Sequence, residues 1–266
     1  MARVIVITSG KGGVGKTTTT ANLGMCLAKL GYETVLVDAD IGLRNLDLLL
    51  GLENRVIYTA FEVISGECNL EQALIKDKRY NKLSLLTTAQ NRNKNDINEE
   101  NMNFLIKLMD RQSDYILIDS PAGIEKGFYC AISGAKEALV VTTPEIASVR
   151  DADRVIGLLE SYGINKISLI VNRIRSRMIR DNEMMSVSDV SEVLAISLIG
   201  IIPEDEKVII STNKGEPLVL EEHLSLPGLA FEDIARRLDG QQVDFNNFDY
   251  FYNKPFKLLK QLFLGS

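Results

Sequence analysis

The sequence predicts an α/β protein, a mostly parallel sheet covered by helices on both faces. Three observations predict it. Short unbroken apolar runs recur along the chain, segments of helical period separate them, and the first run leads straight into a glycine-rich loop. Unbroken apolarity marks strands buried on both faces, and strand–helix alternation builds a parallel sheet through crossover helices.

Taken in order, residues 3–8 (RVIVIT) form the first strand, and 16–30 the helix behind the glycine loop. Strands follow at 34–39 (TVLVDA) and 82–88 (KLSLLTT). The polar stretch 89–101 reads as a surface loop leading into a helix over 98–110. Beyond it come a strand at 114–119 (DYILID), a strand at 137–143 (EALVVTT) and a helix over 146–161. The last strands are 166–172 (KISLIVN) and 197–203 (SLIGIIP), and a helix over 228–238 ends the pattern. Ligands of such sheets sit beyond the carboxyl ends of the strands. One domain over 1–240, a linker over 241–253 and a separate element over 254–266 are expected.

Composition narrows the function. The chain of 266 residues is 45% apolar and carries a formal net charge of −6, which weighs against a globally basic nucleic-acid binder. Cys26, Cys68 and Cys130 form no C-x-x-C pair, so neither a zinc site nor a disulfide framework is expected. His223 is the single histidine, which brings a Ser-His triad or a multi-histidine metal site close to exclusion. No signal or transit segment and no spanning stretch is read, so the protein is expected to work where it is made.

Gly10-Lys11-Gly12-Gly13-Val14-Gly15-Lys16-Thr17 satisfies G-x-x-x-x-G-K-[ST] between a strand and a helix. Glycines let successive backbone N–H groups face phosphates, and the helix dipole adds to them. Lys16 is expected on the β- and γ-phosphates, the Thr17 hydroxyl on Mg²⁺, and Thr18 on the α-phosphate. Asp38 and Asp40 stand at the end of one strand, and Asp119 ends another before the turn that holds Gly123. Carboxylates at strand ends bind a magnesium shell directly or through water.

A second lysine in the loop, Lys11, is not needed to bind phosphate within one chain. Within KGGVGKT it resembles the deviant Walker A signature of the MinD/ParA family of ATPases. VDADIGLRNLDLLLG, DSPAG, PEIASVRDADR and the lysine-rich tail extend the resemblance over essentially the whole chain. The resemblance implies ATP and Mg²⁺ as cofactors and an ATP-bridged homodimer, with Lys11 reaching the partner subunit's phosphates. It also implies that Asp40 orients the attacking water, that Asp119 supports the magnesium shell, and that Gly123 approaches the γ-phosphate. Asn172, Pro203, Glu204 and Asp205 fall in the stretches that contact adenine in MinD-like members. Arg44, Asn45, Asp151 and Asp153 fall in segments associated with partner docking.

The tail has its own pattern. At about 100° per residue, Phe256, Leu258, Leu259, Leu262 and Phe263 share an arc of roughly 160°, opposite Lys254, Lys257 and Lys260. Pro255 behind Asn253 fits a helix start, and Gly265 a stop. A basic amphipathic end on an acidic body fits an anionic membrane surface. One such helix binds weakly, and two on a dimer gain by effective concentration.

A membrane-associating ATPase switch that positions the division site, of a cell or a plastid, is therefore expected. The resemblance implies recruitment of a MinC-like inhibitor and stimulation by a MinE-like activator. The expected location is the cytoplasm or plastid stroma, peripheral on the inner membrane face. A ParA-like DNA-segregation ATPase is the alternative, but DNA binding does not need the tail. A related electron-transfer iron protein would need cysteine ligands whose spacing is absent here. A scaffold with merely structural nucleotide does not need Asp40.

Overall fold

A computed structural model describes residues 1–40, 45–88 and 97–245. β1 (Arg3–Thr8) enters the glycine loop and α1 (Lys16–Lys29), and β2 (Thr34–Asp38) follows. Three short helices come next, α2 (Leu46–Leu50), α3 (Ala60–Ile64) and α4 (Leu70–Ala73). The chain continues through β3 (Ile75–Lys76), β4 (Leu83–Thr87), α5 (Glu99–Met109), β5 (Tyr115–Asp119), α6 (Lys126–Ile132), β6 (Glu137–Thr142) and α7 (Ile146–Ser161). It then forms β7 (Lys166–Ile174), α8 (Ser176–Arg180), α9 (Val187–Leu194), β8 (Ser197–Pro203), α10 (Glu206–Lys214) and α11 (Leu226–Leu238).

The strands make one sheet in the order β3-β4-β2-β5-β1-β6-β7-β8. All neighbours are parallel except β3, a two-residue strand antiparallel to β4. Each strand read from an unbroken apolar run is present. In β2, β4 and β5 every residue is buried, because helices cover both faces. β3 escapes sequence reading because two residues carry no period. Several short helices carried signals that went unread: Thr59 with Glu62, Asn69 with Gln72, and Ser186 with Asp189 form capping boxes. α11 begins at Leu226, two residues ahead of the expected start, with Pro227 in its first turn.

β1 lies between β5 and β6, so the chain runs outward in opposite directions from it. The crevice above its carboxyl end is where a parallel sheet receives a ligand. α1 is seated close to the sheet at Gly24, where a Cβ would overlap the Leu36 side chain of β2. Two bulges shape the far side of the sheet. Ile199 is an extra residue in β8 between the pairs Leu169–Leu198 and Ile170–Gly200, and Arg173 is an extra residue in β7. Arg44 and the tail residues Lys254, Phe256, Lys257, Leu258, Leu259, Lys260, Leu262 and Phe263 lie outside the described residues.

Close approach explains why a glycine interrupts α1. A Gly24→Val substitution is expected to lower stability by about 2 kcal/mol through overpacking against Leu36. Thermal unfolding followed by circular dichroism checks this, and an unchanged Tm would contradict it.

Candidate nucleotide-binding site

Residues 9–15 turn from β1 into α1. Gly13 (φ 77°) and Gly15 (φ 99°) take the left-handed backbone that side chains disfavour. Gly15 also meets the amide of Asn172, where a Cβ would overlap Nδ2, and Gly10 meets the backbone of Asp151 in α7 in the same way. The Ser9 hydroxyl donates to the Lys11 carbonyl at 2.8 Å. The loop is thus held from several sides while Gly12 and Gly13 stay exposed.

The amino end of α1 is uncompensated. Its N-cap, Gly15, makes no side-chain cap, and the first turn holds no acidic residue. Lys16 stands there, 7% exposed. Its ammonium makes neither an ion pair nor a hydrogen bond among the described residues. Burial lowers its pKa, and the fields of Asp119 and Asp40 oppose that. A buried cation at a bare helix N-terminus is the chemistry of an anion cradle, and phosphate supplies what both groups lack. The donor set therefore fits a nucleotide.

The carboxylates line up at adjacent strand ends. Asp38 and Asp119 are register partners across β2 and β5, and both are buried. Asp38 receives backbone N–H groups from Asp40 (3.1 Å), Asn45 (3.2 Å) and Leu46 (3.2 Å). It ties down both ends of the loop that carries Asp40. Asp119 accepts from Thr20 Oγ1 at 3.2 Å, and the Thr17 hydroxyl also hydrogen-bonds it. That places Asp119 behind the hydroxyl expected on Mg²⁺. Burial first, and for Asp119 the neighbouring Asp38, push the carboxyls up to about 6 at Asp38 and about 7 at Asp119. The Gly123 N–H donates to the Ser9 carbonyl at 3.3 Å, joining the turn after β5 to the phosphate loop.

The stretches expected to contact adenine have structural work of their own. The Arg173 bulge, with φ 59°, turns Asn172 toward the loop, where Nδ2 donates to the Val14 carbonyl at 2.7 Å. Asn172 Oδ1 accepts the Arg173 N–H at 2.9 Å. Pro203 ends β8, Glu204 pairs with Arg175, and the Asp205 carboxylate caps α10 by accepting the Lys207 N–H at 2.8 Å. Thr18 is half-buried in the first turn of α1. In the basic run, Arg173, Arg175, Arg177 and Arg180 are all exposed; Arg175 pairs with Glu204, and Arg177 lies 3.8 Å from Asp181.

Sequence reading missed Glu145. It lies 3.4 Å from the Lys11 ammonium, both side chains about half exposed, on the rim of a cavity of about 340 Å³ between the ends of β6 and β7. Such an exposed pair contributes little to stability. In the sequence Glu145 stands only within PEIASVRDADR, with no role read for it. Of the residues associated with docking, Asn45 and Asp153 are exposed, and Asp151 is half-buried against Gly10.

Residues 5–218 match the model of the CobQ/CobB/MinD/ParA nucleotide binding domain. A putative septum site-determining protein MinD from Guillardia theta is 69% identical over 266 residues, covering 100% of this chain and 99% of the relative. The chain belongs to the MinD family. Among solved structures, the MinC:MinD cell division protein complex of Aquifex aeolicus matches with a TM-score of 0.85 at 50% identity, covering 92% of this chain and 98% of that one. Septum site-determining MinD complexed with Mg-ADP from Pyrococcus horikoshii matches at 0.81 and 32% identity, covering 90% and 96%. The chain is an ATPase of the kind that positions the division site, and this likeness disfavours the DNA-segregation alternative.

Two outcomes follow from the geometry. A carboxyl whose folded pKa lies above its unfolded value of about 3.9 binds more protons when folded. Asp38 and Asp119 therefore contribute stability below about pH 4 that declines as pH rises and is gone above about 7. Nucleotide-free protein should lose Tm between pH 5.5 and 7.5, Asp119→Asn should flatten that slope, and Mg-ADP should stabilise more at pH 7.5 than at 5.5. Asn172→Ala should weaken ATP, GTP and pyrophosphate alike by about fivefold, the loss of one hydrogen bond worth about 1 kcal/mol. A changed ATP-to-GTP ratio in isothermal titration would instead make Asn172 a base reader.

Proposed function

We propose that ATP joins two copies of this chain, and that the joined pair binds an anionic membrane through its two C-terminal segments. Within one copy, backbone N–H groups of residues 10–17 and the Lys16 ammonium receive the phosphates. The Thr17 hydroxyl would hold Mg²⁺, with the carboxylates of Asp119 and Asp40 supporting it. Mg²⁺ supplies charge neutralisation of the β- and γ-phosphates.

Lys11 leaves Glu145 and crosses to the partner's phosphates, where its charge stabilises the transferring group. Asp40 orients a water whose oxygen attacks the γ-phosphorus. The bond from that phosphorus to the β-γ bridging oxygen breaks, giving ADP and phosphate. Losing the γ-phosphate removes what Lys11 holds, so the copies separate and each is left with one weak anchor. Pro203, Glu204 and Asp205 flank the base, and Asn172 holds the phosphate loop through Val14.

The observation that carries this reading is the pairing pattern of the two lysines. Among the described residues, Lys16 is buried with no anion in pairing distance, whereas Lys11 is exposed beside Glu145 alone. The MinC:MinD complex of the Aquifex relative supports a MinC-type inhibitor as the partner recruited by the dimer. A MinE-type activator of hydrolysis belongs to the same reading. No helix among the described residues is long and apolar enough to cross a membrane, so attachment is assigned to residues 254–264, at the inner face of a cell or plastid envelope.

Lys11→Ala should bind ATP with near-normal affinity yet remain monomeric in light scattering and lose turnover by at least about 10²-fold. Normal dimerisation and turnover in that variant would refute the crossing lysine. In ATP, the full chain should pellet with phosphatidylglycerol vesicles, and a 1–253 truncation should not. Equal pelleting of the two would remove the tail from the membrane reading.

A further inference from the structure

Arg237, in the last turn of α11, spends every arm of its guanidinium on a backbone carbonyl. Nη1 donates to Ile199 at 3.0 Å, Nε to Val243 at 2.9 Å, and Nη2 to Asp244 at 3.0 Å. Its Cζ lies 3.8 Å from the centroid of the Phe245 ring. Ile199 is the bulged residue of β8, the terminal strand of the sheet, and its carbonyl is offered because the bulge takes it out of the ladder with β7. Gly200 beside it lets Ile234 of α11 approach so closely that a Cβ there would overlap the isoleucine. Gly240, at φ 90°, turns the chain back at the end of α11 and brings 243–245 under the guanidinium.

Such an arrangement is more than a helix end needs. Gly240 and Gln241 already donate their N–H groups to the carbonyls of Arg237 and Arg236, which closes α11. The contacts to Val243, Asp244 and Phe245 instead fix a segment whose composition reads as a linker. They also give a function to the first aromatic of FNNFDYFYN (245–253), a run with no part in nucleotide chemistry.

We propose that Arg237 roots the C-terminal segment on the open edge of β8. The segment is then held as far as Phe245, and residues 246–253 lie between that hold and the residues read as the tail. This rests on the reading of that tail as the membrane anchor. Its consequence is a connection of eight residues instead of the thirteen counted from 241. Effective concentration falls as about the −3/2 power of length, so releasing 241–245 lowers the second tail's local concentration about twofold. Rooting also fixes the point on each body from which a tail leaves, which a dimer needs if both tails are to meet one surface.

Cleavage by chymotrypsin in the full chain, followed by mass spectrometry, tests the rooting in solution. Cutting after Phe245 should be about tenfold slower than cutting after Phe248, and Arg237→Gln should equalise the two. Phe245→Leu, which keeps all three hydrogen bonds, should lose part of the protection once its cleavage is normalised to the same bond in the urea-unfolded variant, since chymotrypsin cuts more slowly after leucine than after phenylalanine. Equal rates in the wild-type chain would overturn the proposal. Phosphatidylglycerol vesicles with ATP test the consequence: both variants should bind about twofold more weakly, with lipid-free turnover unchanged. Variants that lose protection yet bind vesicles as the wild-type chain does would overturn the role in tethering. A 1–253 truncation that pellets like the full chain would remove the membrane reading instead, and the cleavage ratio would still decide whether Arg237 roots the segment.

Discussion

Lys16 holds a positive charge at the amino end of α1, almost out of water and, among the described residues, without a carboxylate in ion-pair distance. Burying an unpaired charge is costly, and that cost persists only if the surrounding structure leaves the group nowhere to go. The surroundings do so. Gly24 lets α1 lie against β2, Gly10 wedges the loop against α7, and Asn172 clamps the Val14 carbonyl. The incoming phosphate thus relieves an existing electrostatic deficit and meets N–H groups that are already oriented, which limits the ordering cost of binding.

The same crevice holds the opposite deficit. Asp38 and Asp119, neighbours in the sheet and both buried, resist sharing two negative charges. A divalent cation held at the Thr17 hydroxyl would answer that, as phosphate answers Lys16. Nucleotide and metal therefore stabilise this site together more than either does alone. Asp38 also carries the backbone of the loop holding Asp40, so the charge state of the pair and the placement of that loop are linked.

From the loop, contacts lead outward. Lys11 touches Glu145 just ahead of α7, and Gly10 touches Asp151 within it, so α7 is packed on the residues that receive phosphate. The turn after β5 is joined to the loop through Gly123 and Ser9. At the other end of the body, Arg237 gathers the start of the C-terminal segment onto β8. The glycine loop and the start of the C-terminal segment are thus seated on one sheet, at its crevice and at its terminal strand.

The sequence by itself determined the parallel sheet, the phosphate loop and its lysines, and the carboxylates at strand ends. Unbroken apolar runs and the glycine spacing are local properties, readable without knowing what lies opposite. Asp38 was legible as a strand-end acid, but its hold on the amides of Asp40, Asn45 and Leu46 was not, because those partners follow it by up to eight residues and meet it only in the fold. Asn172 was legible as a strand-end polar residue. Only the bulge at Arg173, which exists because β7 has one residue more than β8 can match there, decided that it faces Val14. Glu145 and Arg237 are ordinary charged residues in sequence. Their roles arise from partners 134 residues away in one case and 38 in the other, and proximity of that kind is created only when the sheet closes the distance.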